Sequence, residues 1–229
     1  MRNDCGRRRS GTVLPLPLVL LPLLALAGAC AGMASQPEAP APQELPPVGY
    51  GTLRQNDVSV DLVSGDLQLR VTPLDESVIR VTAPDTYRRL SALADRYRPE
   101  ALRRSGADTV SLFLVSAYSE RPDVPFVPGD LQLISKGARM RPAAIVPVSA
   151  GWQQHRLRQR HPEMAVYAFA GGVDLESDLV VAYGLAESSA WDAILPQVRA
   201  ERALARARAA GGGLRRSGYT SSSYPAILR

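Results

Sequence analysis

Three carboxylates alternate along one short segment of the chain, at Asp174, Glu176 and Asp178. Carboxylate oxygens are the ligands that Ca²⁺ prefers, so a loop carrying them could hold this cation. No glycine follows to wrap such a loop, and Leu175 has the character of a packing residue. The spacing therefore favours a solvated turn, with a calcium site as the weaker alternative.

The two histidines, His155 and His161, lie in an Arg- and Gln-rich segment without a strong apolar pattern. With Glu163 they would supply three metal ligands, but the spacing matches no familiar zinc pattern, and the neighbouring arginines oppose a cation. The chain also lacks a Gly-x-Ser-x-Gly motif and a phosphate-binding glycine loop. The sequence therefore predicts no catalytic residue, no resident metal and no cofactor, and a chain that is not an enzyme.

Aromatic side chains offer a different chemistry, the binding of a ligand by stacking and hydrogen bonding. Trp152 follows a glycine in a turn, where capping the edge of a sheet is the favoured interpretation. If it binds a ligand instead, Tyr118 and His155 are the side chains that would join it, with the loop 174–178 at one side. These three residues form the tentative binding surface.

Cys30 carries the clearest chemical signal in the chain. It follows the small residues Gly28 and Ala29, which end an apolar stretch over 13–29, and a basic segment at 2–9 precedes that stretch. This order resembles the signal peptide of bacterial lipoproteins, although Ala27 stands where leucine or valine is commoner. The resemblance implies cleavage after residue 29, a diacylglyceryl group on the Cys30 sulfur and an acylated amine.

The cysteine content favours the same interpretation. The chain has two cysteines, and Cys5 would leave with the signal peptide, so Cys30 would be the remaining thiol. Exported proteins usually pair their cysteines, and a single one at the cleavage point is better explained as a lipid site. Two alternatives stay open: ordinary cleavage near Ala29 or Ala34, and an uncleaved anchor, which the interrupting prolines disfavour.

The segment 30–48 is rich in proline and lacks apolar periodicity, so it is expected to form a semi-rigid tether between the anchor and the folded part. Ala31 stands where the family's sorting habit places an aspartate in proteins kept in the inner membrane. The resemblance thus implies a lipid-anchored protein of the cell envelope, in the outer membrane and facing the periplasm or the surface.

The net charge of +5 is concentrated at the two ends of the chain, in the arginines before residue 10 and after residue 198. The remaining middle is acidic and gives no support for binding nucleic acid. Residues 49–185 are enough for one domain with a sizeable core.

Short alternating runs predict a mainly β structure for this domain. A hairpin is predicted from 58–62 and 67–71, followed by a third strand at 78–81. A helix is predicted over about 85–104, with Asp85 as its N-cap and an interruption at Pro99. The run 109–119 is apolar on both faces, which is typical of a central strand, and further strands are predicted at 141–148, 165–169 and 179–183.

The order of strands and of the Phe-x-Pro-x-Asp-Leu-x-Leu motif over 126–133 resembles an immunoglobulin-like domain of secreted bacterial lipoproteins. The resemblance covers about 108–184 and implies an antiparallel β-sandwich, here with the helix over 85–104 inserted. A C-terminal helix is predicted over 186–210, from apolar residues at helical spacing such as Trp191 and Val198. A disordered basic tail is expected over 211–229.

These features favour a lipid-anchored, non-enzymatic envelope protein that binds another protein or helps an envelope assembly. Its partners would be the membrane, through the lipid on Cys30, and an envelope protein that could pair with an exposed sheet edge. The alternative is a lipid-anchored module or hydrolase for cell-wall or saccharide material. A purely structural envelope protein is a third possibility that the sequence does not separate from the first.

Overall fold

The computed structural model describes residues 44–217, and these form a mainly β structure in which every pair of strands is antiparallel. The mainly β class and the C-terminal helix predicted from the sequence are confirmed. The strands are β1 (Val60–Ser64), β2 (Leu67–Pro73), β3 (Val110–Tyr118), β4 (Val124–Pro125), β5 (Leu131–Ser135), β6 (Ala138–Met140), β7 (Ala144–Pro147), β8 (Arg156–Leu157), β9 (Glu163–Ala170), β10 (Leu179–Tyr183) and β11 (Ala186–Ser188). The helices are α1 (Glu76–Ile79), α2 (Pro84–Ser105) and α3 (Trp191–Ser217).

The larger sheet has five strands in the order β1, β2, β3, β9, β7. The predicted hairpin is confirmed, since β1 and β2 pair directly and Gly65 adopts a φ of 60° in the turn between them. A positive φ carries little steric cost for glycine because it has no Cβ. β3 lies at the centre and pairs with β2 on one side and β9 on the other.

Strand β3 is covered on both faces, as its apolar pattern predicts. Leu112 and Leu114 on one face pack in a cluster with Leu90 and Ala94 of α2. Phe113 and its neighbours on the other face belong to the main core. Because successive side chains of a strand point to opposite faces, a strand covered on both sides must be apolar throughout.

The main core lies between the larger sheet and a four-stranded sheet with the order β11, β10, β5, β6. Leu133 and Val181 contribute from the smaller sheet, and Trp191 and Val198 contribute from α3, all of them buried. Helix α3 therefore closes the core with the apolar stripe that the sequence shows at helical spacing.

Helix α2 is continuous through Pro99, where the sequence suggests an interruption. Pro84 occupies its first turn, where the missing N–H would have no intrahelical partner, and Asp85 follows inside the helix instead of serving as the N-cap. The helix ends at Gly106 with a φ of 63°, as helices commonly do.

The strand predicted over 78–81 is wrong, because this segment contains the helical turn α1. Asp75 caps the turn, since its side chain accepts a hydrogen bond from the N–H of Ser77 at 2.9 Å. Val78 and Ile79 are both fully buried, which requires the two adjacent side chains to find apolar surroundings at once. A helical turn between two layers provides this, whereas a half-exposed strand does not.

The C-terminal helix begins later and ends later than predicted. Residues 186–188 form β11, which pairs with β10 across a turn at Gly184, and α3 starts at Trp191. The helix continues to Ser217, so the first seven residues of the predicted disordered tail are helical. The rest of that tail, 218–229, and the predicted signal peptide and most of the tether, 1–43, lie outside the described residues.

Candidate functional site

A cleft opens beside β7, the strand at one edge of the larger sheet. Its volume is about 370 Å³, within the range of roughly 300–1,000 Å³ typical of ligand sites. We call it the edge cleft. Its lining residues are Arg104, Val127, Pro128, Gly129, Ile145, Pro147, Trp152, Gln153 and His155. The edge cleft thus brings together one helix end, the edge strand and two loops.

Backbone groups of β7 also face this edge. Val148 N donates to Met164 O at 2.9 Å, and the register of β7 on β9 therefore directs the polar groups of Ile145 away from the sheet. Arg104 donates a weak hydrogen bond to the Ile145 carbonyl at 3.3 Å. Pro147 has no N–H to offer, so the edge can pair only over a short length.

The loop that carries Trp152 and His155 is fixed by a buried carboxylate. Glu163 is 1% exposed and accepts a hydrogen bond from the Ser149 hydroxyl. The same hydroxyl accepts from Met164 N at 2.9 Å, which ties the loop to β9. Gly151 lies against the carboxylate, because a Cβ at this position would stand 2.0 Å from a Glu163 oxygen. Only a glycine leaves room for this contact.

Trp152 serves as an internal wall of the edge cleft. Its side chain is 2% exposed and makes edge-to-face contacts with Phe126 at 4.9 Å and Tyr167 at 6.0 Å between ring centroids. Its indole nitrogen is buried without a hydrogen-bond partner among the described residues. Tyr167 donates to the carbonyl of Pro128 at 2.9 Å, and burial raises the pKa of its phenol. This aromatic cluster packs against the two loops that carry Pro128 and Trp152.

The side chains of the edge cleft are better suited to binding a ligand than to acid–base catalysis. His155 is exposed, adopts a φ of 53° and lies 6.0 Å from the Phe126 ring. Arg104 supplies the positive charge, although its Nε is also 2.5 Å from Glu100. Among the lining residues there is no serine, cysteine or carboxylate to act with His155. The cleft can hold a polar backbone and an apolar side chain.

Tyr118 lies elsewhere, on the outer face of the larger sheet. It lines an open cavity of about 540 Å³, which we call the sheet-face cavity. The other lining residues are Asp61, Leu62, Val63, Gln68, Leu69, Arg70, Ser116 and Pro162. Tyr118 donates to Glu120 at 2.7 Å, and this hydrogen bond raises the pKa of its phenol. The predicted binding surface is therefore divided, with Trp152 and His155 at one cavity and Tyr118 at another.

Two of the three carboxylates of the 174–178 loop, those of Asp174 and Glu176, form ion pairs. Lys136 lies 2.6 Å from Asp174, and its hydrogen bond lowers the pKa of that carboxyl. Glu176 pairs with Arg199 at 3.2 Å and with the buried Arg202 at 2.5 Å. Within residues 44–217, no group of three or more His, Cys, Asp or Glu side chains is arranged to hold a metal ion. This includes the set formed by Asp174, Glu176 and Asp178.

Sequence reasoning did not nominate the buried Glu201 of α3. Its carboxylate accepts from Thr52 N at 2.9 Å, from Thr52 Oγ1 at 2.8 Å and from Arg208 at 2.7 Å. Arg208 also donates to Tyr50 O at 2.7 Å, and Arg206 donates to Glu44 O. These contacts hold the segment 44–52 against α3. The Ala- and Arg-rich composition of this helix gives no apolar signal that would have indicated them.

Glu163, by contrast, could have been found from the sequence. It begins the alternation of β9 and shares a face with Ala165, Tyr167 and Phe169, all of which are buried. A carboxylate in phase with buried residues indicates a paired or hydrogen-bonded group inside the protein.

Cys30 lies outside the described residues. Between residues 44 and 217, no helix combines the length and the apolar character needed to cross a bilayer. Comparison of the chain with protein-family models, with curated proteins and with solved structures finds no match.

Proposed function

We propose that this chain is a lipid-anchored, non-enzymatic protein of the cell envelope that binds an extended segment of another envelope protein at the edge cleft. The lipid would be attached to Cys30, and the folded part would face the periplasm or the surface from the outer membrane. The anchor is supported by the residues around Cys30. The binding role is supported by the geometry of β7 and its cleft.

The observation that carries the binding role is the outward orientation of the Ile145 backbone beside a cavity. A peptide that adds to a sheet edge gains affinity from main-chain hydrogen bonds and specificity from pockets for alternate side chains. Ile145 offers the N–H, its carbonyl is held by the weak hydrogen bond from Arg104 that a peptide N–H would share or replace, and the edge cleft offers the pocket. Pro147 limits the added strand to a few residues, which favours a specific short segment over open-ended sheet growth.

The non-enzymatic part of the proposal is supported by the pairing of two acidic side chains, Asp123 near the edge cleft and Glu120 beside Tyr118. Asp123 lies 2.6 Å from Arg156, and Glu120 lies 2.9 Å from Arg160. The hydrogen bond from Arg156 holds the pKa of Asp123 below its usual range, and hydrogen bonds from Tyr118 and then Arg160 do the same for the pKa of Glu120. A general acid needs a pKa near the working pH, and these environments shift it the opposite way.

The proposal includes an immunoglobulin-like relation between the two sheets. It is supported by two antiparallel sheets that share one core and by the strands over 108–184. Helix α2, which covers the outer face of β3, β7 and β9, would be an addition to that arrangement.

Site-specific photo-crosslinking in cells tests the binding role. A photoreactive residue at Val127, which is 55% exposed on the rim of the edge cleft, should give a discrete adduct with one envelope protein. The substitution Ile145→Pro, which removes the outward N–H, should suppress that adduct. The same probe at Leu185, which lines neither the edge cleft nor the sheet-face cavity, is the control. Equal adducts from both positions, or an adduct that survives Ile145→Pro, would contradict the binding role.

A second candidate function is the binding of a cell-wall or other saccharide, supported by the sheet-face cavity. Its floor combines a tyrosine with the Asp61–Arg70 ion pair at 2.7 Å and the amide of Gln68. Such groups suit hydroxyl-rich ligands, because the planar carboxylate, guanidinium and amide of the protein can hydrogen-bond hydroxyl groups and the tyrosine ring can pack against a sugar. Titration with peptidoglycan fragments would decide this, because Tyr118→Ala should remove any saturable binding that belongs to this cavity.

A further inference from the structure

A separate apolar pocket lies under helix α2 and shares no lining residue with the edge cleft or the sheet-face cavity. Its volume is about 370 Å³, and we call it the α2 pocket. Its lining residues are Arg89, Ala92, Leu93, Arg96, Leu114, Val148 and Met164. The apolar members come from α2 and from the face of the larger sheet that α2 covers. The pocket is therefore a gap in the packing between helix and sheet that opens to the surface.

Two arginines stand at the α2 pocket without a carboxylate partner among the described residues. Arg89 donates to the amide oxygen of Gln55 at 2.9 Å, and the guanidinium of Arg96 lies 5.4 Å from the centre of the Tyr97 ring. Most other arginines of the described chain, such as Arg70 and Arg104, have a carboxylate within salt-bridge distance. These two positive charges are thus available to an external anion.

The spacing of the arginines suits an elongated ligand. Residues seven apart on a helix lie on one side of it, about 10.5 Å apart along its axis. A guanidinium presents a planar fork of donors that matches a carboxylate or a phosphate. The pocket is also lined by Leu93, Leu114 and Met164, and methionine adapts its shape to different apolar partners. A charged head with one apolar chain satisfies both parts of the pocket.

We propose that the α2 pocket binds a single-chain anionic amphiphile of the fatty-acid type. The carboxylate would be held by one of the two arginines, Arg89 or Arg96, and the first part of the chain would run along the helix on Leu93, Leu114 and Met164. The pocket volume of about 370 Å³ is close to the lower limit for ligand sites, which is roughly 300 Å³. A pocket of this size suits one acyl chain and not two. The proposal does not rest on the edge cleft or on lipid attachment to Cys30.

Calorimetric titration of the full chain carrying Cys30→Ser with laurate, below its micellar concentration, tests the proposal. Cys30→Ser prevents a lipid on the protein from competing. We expect saturable binding of one laurate per chain, and about tenfold weaker binding after Arg89→Gln and Arg96→Gln together. Arg88→Gln is the matched control, because Arg88 is exposed on the same helix but does not line the pocket. Ala92→Trp, at an exposed lining position, should block the pocket without altering the core.

Dodecyltrimethylammonium, which has a chain of the same length and a cationic head, distinguishes this site from unspecific apolar adsorption. It should bind at least tenfold more weakly than laurate. Methyl-labelled methionine places the site, since laurate should shift the Met164 signal and leave Met140 in β6 unchanged. The proposal is overturned if laurate shows no saturable binding, if both amphiphiles bind equally, or if Arg88→Gln weakens binding as much as the pocket variants. Circular dichroism of each variant verifies that the fold is retained.

Discussion

The contact between Gly151 and Glu163 predicts a specific loss of stability on the substitution Gly151→Ala. A Cβ on residue 151 would lie 2.0 Å from Oε1 and 2.5 Å from Cδ of Glu163. The carboxylate has little freedom to move, because it is 1% exposed and bound to Ser149. Gly151 has no positive φ, so alanine adds steric overlap and no backbone strain.

Overpacking of this kind costs about 1–3 kcal/mol, and we expect Gly151→Ala to lower the free energy of unfolding by that amount. Glu163→Ala alone should also cost about 1–3 kcal/mol, since it removes the shorter of the two hydrogen bonds that the Ser149 hydroxyl donates and the ion-pair partner of Arg158. In the double variant the overlap is gone, so its cost should fall short of the sum of the two single costs. Urea denaturation of the four chains, all carrying Cys30→Ser, measures this coupling.

Gly51 provides the matched control for this cycle. A Cβ there would lie 2.2 Å from the backbone carbonyl of Val81, and no side-chain substitution can relieve that overlap. Gly51→Ala should therefore destabilise the chain equally in the Glu163→Ala background and in the parent. Strictly additive costs for Gly151→Ala and Glu163→Ala would refute the proposed contact and with it the account of how the loop at the edge cleft is fixed.

Three further predictions concern residues that hold the structure together. Burial raises the pKa of Glu201, but hydrogen bonds from Arg208 and Thr52 outweigh this and lower it, so its contribution to stability is present above the usual carboxyl pKa. Glu201→Gln should accordingly show a full stability deficit at neutral pH that shrinks as the pH falls below that pKa, measured by urea denaturation at several pH values. Tyr167→Phe should cost about 1 kcal/mol, because it leaves the Pro128 carbonyl without its donor, measured by the same method. Arg202→Met should cost less than Arg202→Ala in thermal denaturation, since methionine keeps the apolar packing of a side chain that is 4% exposed. Equal losses for the two Arg202 variants, or a Glu201→Gln deficit independent of pH, would contradict the reasoning.

Local periodicity predicted those elements whose residues share one environment along their whole length. The β1–β2 hairpin and strand β10 follow the alternation in the sequence, and the two apolar faces of β3 indicate its central place. Helix α2 appears as a single apolar stripe on a polar segment. In a strand every second side chain faces the same layer of the fold, and in a helix every third or fourth side chain does so. A repeat of apolar residues at these spacings therefore reveals the buried face.

The errors lie where burial depends on partners that the local alternation of apolar residues does not show. Val78 and Ile79 are adjacent and both buried, which resembles a strand, but the cap at Asp75 and the surrounding layers produce a helical turn. Glu201 is buried because Thr52 and Arg208 satisfy it, and Thr52 is 149 residues distant. No local pattern carries such a contact.

The candidate site was predictable only in part for the same reason. Trp152 and His155 lie three residues apart, so one loop brings them to the edge cleft. Tyr118 lies on a strand end whose position depends on the sheet, and the structure places it at the sheet-face cavity. The arginines of the α2 pocket resemble solvent-facing residues in the sequence, and the gap beneath them appears only in the packing.

The most direct test of the central claim is the intact mass and membrane fractionation of the full-length chain and of Cys30→Ser, expressed in a bacterial host. The account predicts a chain that begins at Cys30, carries the mass of acyl chains and sediments with the outer membrane, whereas Cys30→Ser is released to the soluble fraction. More than one acyl chain gives stable anchoring, so the difference in distribution should be nearly complete. An unmodified Cys30, with both chains in the soluble fraction, would contradict the claim that this protein is anchored to the envelope by lipid.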